Sequence, residues 1–237
     1  MSGIKIIYED DSILVLDKPW GVTVNRSETE KEKTVQDWVE DKFKVQSSKF
    51  KVGEESDFFK RSGIVHRIDK ETSGILIAAK NPLSFEDLQK QFKERKVSKT
   101  YLALVHGKIQ GVGEIKVPVG RLPWARTKFG VLSGGREAVT RYRVIRSMVV
   151  NNEQVTLLEL FPQTGRTHQI RVHLKYINHP IFSDPLYAGR KTARSDRKIL
   201  PRLFLHAHKI SFTHPKTGER VEFESKLPDD LKSLLKR

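Results

Sequence analysis

The segment Gly74-Ile75-Leu76-Ile77-Ala78-Ala79 carries no polar side chain, and no other stretch constrains the fold as much. A strand with one wet face alternates apolar and polar residues, whereas an unbroken run is the pattern of a strand covered on both faces. The run therefore predicts a central strand over 74–79, punctuated by Asn81-Pro82. Immediately before it stands a polar stretch, His66-Arg67-Ile68-Asp69-Lys70-Glu71-Thr72-Ser73. Polar residues that lead into a core strand sit at the lip of the sheet.

The remaining pattern is mostly strands. Ile4–Tyr8 and Ile13–Leu16 read as a hairpin or two strands, closed by Pro19 and Gly21. Thr34 precedes Val35, Trp38, Val39 and Phe43 with Asp37 at the capping position, which predicts a helix. Residues 45–62 turn to Ser, Lys, Glu and Gly without periodicity and read as a surface excursion, either a clamp or an insertion. A helix is expected from Ser84, with Phe85, Leu88 and Phe92 inward, followed by a strand over 101–105. Antiparallel partners are expected at 137–146 and 155–161 around Asn151-Asn152, and at 209–214 and 221–225 around Lys216-Thr217-Gly218. Strands that follow one another directly imply an α+β chain, a mixed and largely antiparallel sheet with a few flanking helices. Residues 1–237 are expected to form one domain.

Composition removes several functions. The chain has 237 residues and no cysteine, which excludes disulfides, thiolate metal sites and a thiol nucleophile. No apolar run approaches the length of a membrane span, and the start lacks the pattern of a signal peptide, so a cytoplasmic protein is expected. With 44 Lys+Arg against 29 Asp+Glu the net charge is +15. Such a field attracts polyanions, nucleic acid first, although charge alone also serves solubility. The clusters at Lys90–Lys99 and Arg190–Arg202 are candidate phosphate contacts.

Two constellations can carry chemistry. In the first, Asp69 is either a nucleophile or base at the lip of the sheet, or, with Thr72 and Ser73, simply part of a turn. The second is Gln163-Thr164-Gly165-Arg166-Thr167-His168-Gln169-Ile170-Arg171-Val172-His173-Leu174. There Gly165 permits a tight turn, Thr167 can cap, and Ile170, Leu174 and Ile177 mark one helix face. Arg166 and Arg171 then flank a helix N-terminus, an anion site for a phosphate or for a carboxylate such as Asp69, or else they are solvated. A metal is not expected: His168 and His173 lie five residues apart, about 140° around a helix, and no carboxylate completes a set with His206 and His208. No phosphate-gripping glycine loop follows a strand, so no nucleotide cofactor is expected.

His66-Arg67-Ile68-Asp69-Lys70-Glu71-Thr72-Ser73-Gly74 resembles the His-Arg-Leu-Asp-x-x-Thr-Ser-Gly signature of the RluA-type pseudouridine synthases, with Ile68 in place of Leu. Leu16-Asp17-Lys18-Pro19-Trp20-Gly21 is similar to an early family segment, Asp17 replacing Asn, and Lys99–Gly107 resembles the strand that bears a tyrosine. Thr164–Leu174 resembles the segment that bears an arginine, and Ser183–Gly189 and Arg202–Ala207 follow in family order. The resemblance spans about residues 5–225 and implies a pseudouridine synthase-like fold with a central catalytic cleft; some relatives carry an added N-terminal RNA-binding module, but with strands beginning at about residue 4 no separate module is expected here. It also implies that uridines of rRNA or tRNA are flipped out, cleaved at the glycosidic bond and rejoined through C5, without cofactor; a monomer is the default expectation. Catalytic roles fall on Asp69, as nucleophile or base, on Tyr101 beneath the base, and on Arg171 paired with Asp69; His66, Arg67, Thr72, Arg166, His168 and Leu205 bind substrate. A non-catalytic RNA-binding or RNA-folding factor of the same fold is the alternative.

Overall fold

A computed structural model describes residues 3–28, 30–44, 56–125 and 127–236. The chain folds as two compact units, one of residues 1–97 and 209–225, the other of 98–208 and 226–237.

In the first unit β1 (Lys5–Glu9), β2 (Ile13–Lys18) and β3 (Ser73–Ala79) run side by side as antiparallel neighbours, with β10 (Leu205–Thr213) next to β3 and β11 (Arg220–Glu224) antiparallel on β10. Every residue of β3 is buried, as the apolar run demands. Ile75, Ile77 and Ala79 of β3 join Ile13 and Val15 of β2, Phe85 and Leu88 of α3 (Pro82–Lys93), and Ile210 and Phe212 of β10 in one core. Helix α1 (Val35–Lys44) starts as expected: the Thr34 amide and hydroxyl both donate to Asp37 at 2.7 Å, and the Asp37 amide donates back to Thr34 Oγ1 at 3.2 Å. Partial burial raises the Asp37 carboxyl, but hydrogen bonds from Thr34 and Arg26 outweigh it and hold the group down at about 2. Helix α3 begins two residues before Ser84, because Asn81 accepts the Ser84 amide at 2.9 Å and Pro82 is already helical, a position where proline's missing N–H costs nothing. Of the excursion at 45–62, residues 45–55 lie outside the described part; residues 57–60 form the single-turn helix α2 (Asp57–Lys60).

The second unit carries the order β10-β4-β9-β8-β5, from β4 (Ser98–His106), β5 (Val112–Lys116), β8 (Val139–Val150) and β9 (Glu153–Pro162). Its ladders β4–β9, β8–β9 and β5–β8 are antiparallel. The β8–β9 hairpin turns at Asn151 and Asn152, both left-handed at φ 48° and 62°, as the tight turn that matches strand twist requires. A separate ribbon, β6 (Val119–Arg121) with β7 (Phe129–Val131), and helices α4 (Gln169–Tyr176), α5 (Arg190–Asp196) and α6 (Asp229–Leu234) complete the unit. Its core gathers Leu104, Leu158, Phe182, Phe204, Leu231 and Leu234. No helix among the described residues is long and apolar enough to cross a membrane.

One glycine fixes the entry to the polar stretch. Gly63 has φ +74°, accepts the Ala79 amide at 2.8 Å, and lies so near β3 that a Cβ would fall 2.1 Å from the Ala79 carbonyl oxygen. Gly63→Ala should destabilise the protein by about 2 kcal/mol or more, measured by urea unfolding, whereas Gly218→Ala, with open space around it, should cost only about 1 kcal/mol.

Candidate active site

From Gly63 the chain lies along the end of β3: Ile64 bridges to Ala78 and the Val65 amide reaches the Ile77 carbonyl at 3.4 Å. His66 then substitutes for a strand carbonyl, its Nε2 accepting the Ile77 amide at 3.0 Å while its ring stacks on Phe92 with centroids 4.8 Å apart. Because Nε2 accepts, this ring is neutral with its proton on Nδ1. His66 is thus held as a piece of backbone pairing. Arg67 is exposed, Ile68 is buried, and Asp69 is half-buried. The Thr72 amide closes a turn onto the Asp69 carbonyl at 3.1 Å, and Thr72 itself is buried.

A residue without an assigned role in the sequence reading clamps this turn. Lys18, fully buried at the end of β2, donates from Nζ to the carbonyls of Pro19 at 2.9 Å, Val22 at 2.8 Å and Lys70 at 3.2 Å. The Gly21 amide donates to the same Lys70 oxygen at 2.8 Å. A buried ammonium is tolerated only when such acceptors surround it. The residue after Asp69 is therefore fixed from the end of β2. Outside, Lys70 Nζ meets Glu30 at 3.2 Å and Glu32 at 3.4 Å. Asp17, which stands where the family pattern has Asn, accepts the Ser225 hydroxyl at 2.8 Å.

In the second unit Arg166, His168 and Arg171 come together at the start of α4. The helix does not begin on a Thr167 cap: His168 is the N-cap residue, left-handed at φ 55° and without a capping side chain, and Gly165 does not have a positive φ. The first helical residue does the capping work instead. Gln169 Oε1 accepts the Thr164 hydroxyl at 2.6 Å and the Arg166 amide at 3.0 Å, while Gln169 Nε2 donates to Val139 O and Thr140 Oγ1, each at 3.0 Å. Thr140 continues to His173 Nδ1 at 2.9 Å, and His173 Nε2 donates to Val117 O at 3.2 Å. Burial pushes the His173 imidazole below its ordinary range, so it stays neutral in this chain of bonds. Arg166 donates to the Glu137 carbonyl at 3.0 Å.

Arg171 is buried and gripped by Asp184: Nε to Oδ2 at 2.8 Å and Nη2 to Oδ1 at 2.9 Å, with its guanidinium 5.1 Å over the Tyr187 ring. Asp184 also accepts the Leu186 and Tyr187 amides at 2.9 and 3.1 Å. The Tyr187 hydroxyl lies 2.8 Å from His168 Nδ1 and accepts the Phe129 amide at 3.0 Å. Asp184 was visible only as part of the Ser183–Gly189 segment; an acid before proline in a loop, one helix away from a predicted arginine, was the signal that it serves as a partner.

Tyr101 is half-buried on β4 and packs against the core, and Leu205 is buried at the start of β10. Lys99 shares the Tyr101 face by strand alternation. Burial pushes its ammonium down to about 8, and no carboxylate meets it among the described residues. Of the two basic clusters, Arg190, Lys191 and Arg194 of α5 are exposed, but Arg202 is buried, with Nη1 3.6 Å from Asp230. Arg202 is therefore a core residue, because the chain after α5 turns inward to Leu203 and Phe204. Among the described residues one group, His106, Glu153 and Asp196, has ligand atoms close enough for a metal. The two carboxylates lie at opposite nitrogens of the ring, 2.9 Å from Nε2 and 3.3 Å from Nδ1, which is how an imidazole is hydrogen-bonded on both sides. Asp196 is further occupied by the Ser183 amide at 2.9 Å.

The family model described as RNA pseudouridylate synthase matches residues 12–176, and the chain belongs to that family. The ribosomal large subunit pseudouridine synthase D of Nitrosomonas europaea is 39% identical over 236 residues, 98% of this chain and 64% of that protein. An uncharacterized RNA pseudouridine synthase of Bacillus subtilis is 39% identical over 233 residues, 98% of this chain and 72% of that protein. The chain thus spans less than two thirds of the length of the first of these relatives. Among solved structures, human RNA pseudouridylate synthase domain containing 1 is similar with a TM-score of 0.73 and 27% identity, over 98% of this chain and 87% of that one.

Two measurements probe these contacts. Asp184→Ala, which leaves Arg171 buried without its carboxylate, should cost about 3–5 kcal/mol in chemical denaturation. Lys99→Met should melt at higher temperature than the wild type at pH 7. A lysine whose folded value is about 8 against an ordinary 10.5 destabilises while it is charged in the fold. The gap between the two proteins should therefore narrow as pH rises from 8 to 10.5.

Proposed function

We propose that this chain is an RNA pseudouridine synthase acting on ribosomal RNA, with Asp69 as its essential carboxylate. The observation that carries the reading is the Asp69 turn: an irregular segment that belongs to no helix or strand is nevertheless fixed by a buried lysine, a glycine amide and a histidine bonded to β3. Such effort is spent on positioning a side chain for chemistry. The family and the printed name of the Nitrosomonas relative support the substrate class.

In this reading the N1–C1′ bond of the target uridine breaks, the freed base turns, and a C5–C1′ bond forms. The C5 proton is lost and N1 gains one, so the product is an isomer and the balance requires no oxidant, metal or group donor. Asp69 attacks C1′ or removes a proton from C2′. Tyr101 stacks on the flipped base, Arg171, its guanidinium plane fixed by Asp184, serves as the catalytic arginine, and Arg67, with its planar exposed guanidinium, fills the space the base leaves. His66 and Thr72 shape the Asp69 segment, and Arg166, His168 and Leu205 line the substrate side. The exposed arginines and lysines of α3 and α5 contact phosphates, so affinity falls with salt. The enzyme acts as a monomer in the cytoplasm, where ribosomal RNA is found.

Tritium release from RNA labelled at uridine C5 tests this. With ribosomal RNA and EDTA present, the wild type should release tritium. Asp69→Asn should be slower by roughly 10³-fold while binding the same RNA with unchanged affinity. Salt-sensitive binding without release by the wild type would instead favour the non-catalytic RNA factor.

A further inference from the structure

Trp124 lies at the tip of the β6–β7 ribbon with 76% of its surface exposed. A bare indole there contributes nothing to the core, and large exposed aromatics are retained chiefly where something covers them. The ribbon's charge indicates what that is: between Ile115 and Arg136 the sequence has Lys116, Arg121, Arg126, Lys128 and Arg136 and no acid. The tip is also structured, with Leu122 donating to Lys128 O at 3.0 Å, Lys128 to Ala125 O at 2.7 Å and Ala125 to Leu122 O at 3.2 Å. Its root is tied to the arginine site. Phe129, beneath the Arg121 guanidinium at 5.2 Å, donates its amide to the Tyr187 hydroxyl, the same group that meets His168.

We propose that Trp124 is an RNA-binding residue whose indole stacks on an unpaired base of the substrate other than the reacting uridine, while the basic residues of the ribbon neutralise the adjoining phosphates. The inference rests on the RNA reading above and adds a subsite to it. Aromatic faces accept any base, so Trp124 supplies affinity and register without reading sequence, and it requires a base free of its duplex. Because the ribbon is bonded to Tyr187, and Tyr187 lies under Arg171, a base held on Trp124 is held at a fixed offset from that arginine.

The full chain, Trp124→Ala and Trp124→Phe are compared by titration with a short single-stranded oligoadenylate and with a duplex RNA, and by steady-state tritium release from ribosomal RNA. Single strands should quench tryptophan emission in the wild type, and the quenching should vanish in both variants. Trp124→Ala should bind the single strand roughly tenfold more weakly and raise KM by a similar factor with kcat unchanged, Trp124→Phe should retain most of the affinity, and duplex binding should stay the same. Equal single-strand affinity and equal KM for Trp124→Ala would overturn the subsite and leave the patch to a protein partner. A wild type that neither binds RNA nor releases tritium would overturn the RNA reading itself.

Discussion

The ammonium of Lys18 is the contact on which the presentation of Asp69 depends. Burying a lysine is costly unless its donors are met, and here they go to backbone oxygens from two distant parts of the chain, Pro19 and Val22 next door and Lys70 across 52 positions. No other side chain type serves equally well: a methionine would leave carbonyls without donors, and an arginine would not fit the space of a residue with no exposure. The order of construction follows. Strand β2 pairs with β3 through Lys18 opposite Gly74, the pairing carries the lysine to the loop, and the lysine fixes the turn that Asp69 begins.

The second unit applies the same physics with an ion pair. A buried Arg–Asp pair adds little net stability compared with an apolar pair, since desolvation of both charges offsets their attraction, but its two parallel bonds fix a plane. Asp184 can hold Arg171 because its remaining lone pairs are filled by the amides of its own turn. The helix that delivers Arg171 is located by the Thr164–Gln169–Thr140–His173 chain, in which each polar atom has its partner. Complete satisfaction is what makes a buried polar network specify one geometry.

Much of this was legible in the residues. The apolar run at 74–79 marked its strand within one residue, the Thr34–Asp37 pair marked the start of α1, and Asn151-Asn152 marked the β8–β9 turn, because each rests on a local rule that tertiary structure had no reason to override. Strands β5, β6 and β7 escaped notice because they are short, each contains a glycine, and most of their residues are exposed or half-exposed, which leaves no alternation to read. The His168 cap escaped because a left-handed N-cap without a capping side chain leaves no sequence signal, and the Gln169 bonds that tie down the preceding turn are tertiary. Asp69 and Arg171 stood out by motif, but the partners that hold them, Lys18 and Asp184, needed coordinates, since nothing in local spacing says which carbonyls or which guanidinium a side chain will meet.

Net charge is the property most altered by knowing burial. A formal +15 treats every cation as available to a polyanion, yet Lys18, Arg171 and Arg202 are buried among internal oxygens, and Lys70 and Lys96 stand beside acids. Counterion release counts only the cations that reach phosphates. The cations available to a polyanion are therefore fewer than the formal count, and those on the exposed side of α5 and at the end of α3 are among them. In the subsite proposed for Trp124, charge next to an exposed aromatic would direct an RNA, whereas diffuse charge only attracts one, and single strands would be favoured over duplex without any base-specific motif.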